Sequence, residues 1–133
     1  MSFETHYHSD AQYYETRIRD RIDADGVIAL DRSILESPHW DGGRPRLVMV
    51  DYNVDLAEID MAVLAERILP HLEETRGRRT RRERIAWVVP NDLSRSIVDV
   101  WELMPDKDGL QAFRSFRTRE EAMDWLLDAD SES

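Results

Sequence analysis

Cysteine is absent from the 133 residues, which excludes disulfides, thiolate catalysis and thiolate metal sites. That absence fits a reducing compartment. Lysine is almost absent: apart from Lys107, arginine carries the non-histidine positive charge. The arginines are scattered along most of the chain and read as a genomic bias rather than a binding signal. No apolar run approaches the ~20 residues that cross a bilayer. The opening MSFETHYHSD has neither the basic nor the apolar region of a signal peptide. A cytoplasmic location without membrane association is therefore expected. Missing too are a Gly-x-Ser-x-Gly elbow, a phosphate-cradling glycine loop and a dinucleotide fingerprint. No nucleophile–base pair stands out and no cofactor is implied, so an enzyme is the least favoured reading.

What the chain has in quantity is charge: 35% of it, with a formal net charge of -10. Such a surface disfavours non-specific binding to nucleic acid or to an anionic membrane. A hydrophobic fraction of 41%, arranged in clear periods, marks one folded domain over residues 1–133.

Residues 3–8 and 13–19 alternate in polarity around the turn Ser9-Asp10-Ala11-Gln12, which predicts an edge hairpin with Tyr14, Thr16 and Ile18 inward. Asp23 or Asp25 caps a helix reaching Glu36, stopped by Ser37-Pro38; a loop with Gly42-Gly43 follows. Leu47, Val48, Met49 and Val50 are consecutive and apolar, as in a strand covered on both faces. The next helix carries Met61, Leu64, Ala65, Ile68 and Leu72 at helical spacing, with Pro70 predicting a kink or an early end.

Arg76 to Arg84 reads as a polar connection, and Ile85 to Val89 as a second dry strand ended by Pro90. Asn91 or Asp92 caps a helix with the stripe Leu93, Ile97, Val100, Trp101 and Met104. After a turn at 105–109, residues 110–116 form the other edge strand. Thr118 and Glu121 form a capping box on the last helix, with Ala122, Trp125, Leu126 and Ala129 inward and a frayed tail at 130–133. The order β-β-α-β-α-β-α-β-α implies an α/β domain with a mixed, mostly parallel five-stranded sheet and an N-terminal antiparallel hairpin.

The stretches LVMVDYNVDL, RIAWVVPNDL and FRSFRTREEAMDWLL, in that order, resemble the STAS family (sulfate transporter and anti-sigma-factor antagonist), especially its small stand-alone bacterial members. The likeness spans nearly the whole chain and consists of buried-position patterns, so it implies a fold more than an activity. In signalling members of that family the helix after the first buried strand opens with Asp and a pair of serines, one phosphorylated. Here Asp60 matches the Asp, while Met61 and Ala62 stand where the serines would be. The resemblance thus implies a docking surface without the phosphorylation switch.

Five candidates follow. Asp55, Glu58, Asp60 and Met61, after the strand ending at Asp51, are the expected protein-docking site. Carboxylates there could also hold a hard cation, although helix capping by Asp55 explains them more simply. Arg78, Arg79, Arg81 and Arg82, with Arg76 and Arg84, form the best local anion site. They lack the interleaved aromatics of a nucleic-acid surface, and a solvated loop is the plainer reading. His6 and His8 share a strand face but need a third ligand, from His39 or His71, to bind a metal. Ser94 and Ser96 begin a helix and are explained by capping. Trp40 is a candidate exposed anchor.

The leading expectation is a non-enzymatic regulatory or protein-interaction domain that binds a protein partner. Should all the helices lie on one side of the sheet, a homodimer would cover the other. The rival is a small apolar-ligand or lipid-binding domain with a pocket between helices and sheet.

Overall fold

Strand order follows chain order. In the computed structural model, which describes residues 3–103 and 111–128, five strands lie side by side as β1 (Phe3–His8), β2 (Tyr13–Ile18), β3 (Arg46–Val50), β4 (Glu83–Val88) and β5 (Gln111–Phe116). β1 pairs antiparallel with β2, and every later pairing is parallel. The hairpin turn uses Gln12 at φ 57, a left-handed conformation unusual for a residue with a Cβ.

Helix α1 (Ala24–Leu35) connects β2 to β3 and is capped by Asp23, which accepts from Gly26 N at 2.9 Å. Between β3 and β4 runs α2, residues 61–74, in three continuous pieces: α-helical Met61–Val63, π-helical Leu64–Ile68 and α-helical Leu69–Glu74. Helix α3 (Asp92–Trp101) follows β4, and α4 (Arg119–Leu126) follows β5. Thr118 caps α4 as expected, its Oγ1 accepting from Glu121 N at 3.3 Å, but the Glu121 carboxylate accepts from the Thr118 hydroxyl at 3.0 Å rather than from the backbone N–H of a full capping box.

Right-handed crossovers between strands added steadily in one direction put every connecting helix on the same face. So α1, α2 and α3 pack with Tyr14, Ile18, Val48, Val50, Trp87 and Val89 in the larger core. Helix α4 follows β5, the last strand of this sheet, and so is not one of those crossovers. It covers the opposite face, where Ala122 and Leu126 meet Leu47, Ala86 and Val88. Val48 and Val88 are 1% and 3% exposed within a single chain. The condition attached to a homodimer, all helices on one side of the sheet, is therefore not met, because the other apolar face lies under α4.

Three helical expectations change. Pro70 does not end its helix: the turn before it widens, Leu69 N donates to Leu64 O, five residues back, and the helix runs on to Glu74. Inward positions then step by four, through Leu64, Ile68 and Leu72, and Met61 and Ala65 are exposed. In α3 the buried residues are Ser94, Val98 and Trp101, while Leu93 and Val100 face water. Ser94 Oγ donating to Val54 O and Trp101 Nε1 donating to Ile59 O fix that rotation. Met104, the turn at 105–109, Ala129 and the tail at 130–133 lie outside the described residues.

Candidate functional site

The acidic loop leaves β3 at the carboxyl ends of the parallel strands, where sites in open α/β sheets form. Val54, Leu56 and Ile59 are buried and pin the loop, so the residues between them point outward. Asp51 pairs with Arg17 at 3.0 Å and Glu58 with Arg21 at 3.3 Å, and Arg21 also bridges to Asp55 through the backbone. Asp60, rather than Asp55, caps α2: its Oδ1 accepts from Val63 N at 2.9 Å. Asp55 closes a local turn by accepting from Ala57 N, since the loop continues five residues further than a cap at 55 would allow. Tyr52 is 67% exposed, Leu93 70% and Met61 44%. Asn91 joins the first two, because its Nδ2 donates to Tyr52 O while its Oδ1 caps Leu93 N.

The opposite, amino-terminal end of the sheet holds a buried ionic cluster. Asp31 sits on the inner face of α1, where Arg46 Nη1 donates to its Oδ1 at 2.5 Å. Its Oδ2 meets His71 Nε2 at 2.6 Å and also accepts from Arg79. Glu83 accepts from Arg46 Nε at 3.0 Å and stands 3.6 Å from Arg79. Burial by itself pushes the Asp31 carboxyl up, but Arg46, the His71 hydrogen bond and Arg79 together hold it well below the usual carboxylate range. Burial likewise disfavours the Arg46 cation, and Glu83 and Asp31 more than compensate.

Next to this cluster lies a cavity of about 100 Å³ between the sheet and α1, α2 and α3. Leu30, Val48, Leu64, Ile68, Trp87 and Trp101 line it, with Asp31 and Arg46 at its polar end.

The arginine segment is not one exposed anion site. Arg79 is buried on Asp31, Arg78 donates to Leu35 O at 2.5 Å, and Arg81 pairs with Asp41 and donates to Gly43 O. Arg82 is exposed in sequence position but engaged as well. Partners tens of residues away consume donors that a solvated loop would leave free. Gly42 and Gly43 let this segment approach: a Cβ at Gly42 would meet Thr80 Oγ1 at 2.0 Å, and Gly42 φ is +106°.

The histidines disperse. His6 and His8 share the face with Glu4 and Glu15, His39 stacks on Tyr7 at 4.2 Å, and His71 is buried on Asp31. Among the described residues no group of three or more His, Asp or Glu could hold a metal ion. Trp40 is not an exposed anchor: Nε1 donates to Arg78 O at 2.8 Å, and the Arg46 guanidinium lies 5.2 Å from its ring centroid. Ser96 Oγ donates to Asp92 O at 3.1 Å.

Asp31, Arg46, His71 and Glu83 were not expected to meet. A signal was present, since Asp31 lies four residues from Val27 and three from Ile34, on an apolar stripe, and His71 lies three from Ile68.

Five strands in this order, with three helices on one face and one on the other, define a STAS-like fold. A solved structure to which it is similar is an uncharacterized protein from the DUF3478 family with a SpoIIAA-like fold from Shewanella loihica PV-4, 16% identical, with a TM-score of 0.52 and covering 94% of this chain and 92% of that one. No family model and no curated protein matches the sequence. Among the described residues no helix is long and apolar enough to cross a membrane.

Proposed function

We propose that the protein is a non-enzymatic regulatory domain that docks a protein partner through the loop between β3 and α2 and the first turn of α2. The observation that carries this reading is the direction of the loop's side chains. Val54, Leu56 and Ile59 anchor it from within, leaving Asp55, Glu58, Asp60 and Met61 outward beside exposed Tyr52 and Leu93. A rigid rim of acids and isolated apolar side chains suits a basic, partly apolar segment of another protein. Met61 and Ala62 offer no hydroxyl, so docking here is not switched by a phosphate at the opening of α2.

The test is fluorescence anisotropy with arginine-rich amphipathic peptides and charge-reversed controls against the full chain and its Tyr52→Ser, Glu58→Gln and Leu93→Ser variants. Basic peptides are expected to bind preferentially, with about ten-fold loss in Tyr52→Ser or Leu93→Ser. Equal binding of acidic peptides, or no loss in the variants, would dismiss the reading.

A specific observation favours a second reading, a small-ligand binder. The cavity is walled by Leu, Val and Trp side chains and carries a few polar groups at one end, the usual composition of a ligand site.

A further inference from the structure

Arg46 does not use all its donors. Nη1 serves Asp31 and Nε serves Glu83, while Nη2 is buried without a partner among the described residues. A buried N–H left unsatisfied is costly, and an incoming acceptor would recover that cost. Arg46 also lines the apolar cavity, so the unmet donor belongs to the one side chain that could present a positive charge there.

We propose that the cavity is a binding site for a short-chain carboxylate. Its carboxylate accepts from Arg46 Nη2 and its alkyl part lies against Trp87 and Trp101. The inference rests on the small-ligand reading above and names the ligand's chemical class. Size sets one limit: an apolar cavity of about 150 Å³ takes a benzene molecule, so about 100 Å³ suits a chain of about four carbons. Charge sets the other: Asp31 lines the same cavity and Glu83 stands on Arg46, so each further negative charge is repelled and a phosphate dianion more than a monoanion.

The experiment titrates the full chain with butyrate, its neutral isostere butyramide, and inorganic phosphate. It follows tryptophan fluorescence and the Arg46 side-chain and indole N–H signals by NMR. Butyrate is expected to saturate, to shift Arg46 Nε–H with the Trp87 and Trp101 signals, and to bind at least about ten-fold more tightly than butyramide or phosphate. Leu72→Phe, which fills the cavity from α2 and replaces no residue of the ionic cluster, should abolish saturation. Equal affinity for butyrate and butyramide would overturn the carboxylate assignment and leave the ligand-binding reading intact. Saturation by none of the three probes would remove both. Undiminished butyrate binding by folded Leu72→Phe would place the site elsewhere and overturn the proposal.

Discussion

Asp31 and Asp60 are both carboxylates on helices, and their surroundings give them opposite sensitivities. Asp31 is buried against Arg46, His71 and Arg79, so removing its charge strands cations in the interior. Asp31→Ala is expected to cost about 3–5 kcal/mol in chemical denaturation, the range for breaking one side of a buried ion pair. Because its folded pKa is depressed, its contribution is fully present above the ordinary carboxylate value. That contribution is lost as pH falls through the lower, folded value. Stability measured from neutral pH toward about pH 2 should therefore fall less steeply in Asp31→Asn than in the wild type. Asp60 is exposed, and its carboxylate accepts one backbone N–H. Asp60→Ala should cost about 1 kcal/mol through the lost cap, whereas Asp60→Ser should restore most of it. The serine variant thus separates the docking charge from the cap. Asp23 and Thr118 were legible as caps because a cap is written within four residues. The role of Asp31 was not, since Arg46 lies 15 positions away and His71 40.

Pro70 and Gly42 act on whole segments. Without an N–H, Pro70 cannot complete an α-helical turn, and the chain responds by widening the preceding one instead of breaking. Restoring the donor with Pro70→Ala should slow amide exchange across 66–72 and raise the thermal midpoint, by at most the ~3 kcal/mol that a helix-interior proline costs. Gly42 lets the loop before β3 lie against Thr80 and accept from Thr80 N and Arg81 N. Gly42→Ala meets both a left-handed φ and the Thr80 side chain, so a loss of at least ~1 kcal/mol is expected in thermal unfolding. The helix over 61–74 was visible in its apolar spacing, but the stripe read from an ideal helix misplaced Met61 and Ala65. Its π turn has no sequence mark apart from Pro70.

At the scale of the molecule, α4 decides whether the sheet is sealed. It is short, yet among the described residues it is the helix that packs on Leu47, Ala86 and Val88. A chain ending before residue 118 should expose that face and self-associate in sedimentation, whereas the full chain should sediment as a monomer at the same concentration. The two halves of the opposite face differ in kind. Beyond α4, β1 and β2 present Glu4, His6, His8, Glu15 and Arg17, a charged surface that needs no cover.

Runs of apolar residues, their spacing and the caps at helix starts are properties of a few consecutive positions, so the sequence alone set the order of strands and helices and made β3 and β4 dry on both faces. Which face received α4, which way α3 was rotated, and that Asp31, Arg46, His71 and Glu83 share one buried cluster required the packed chain. Those outcomes depend on crossover handedness and on contacts between segments tens of residues apart, where no local pattern carries the energy that chooses among them.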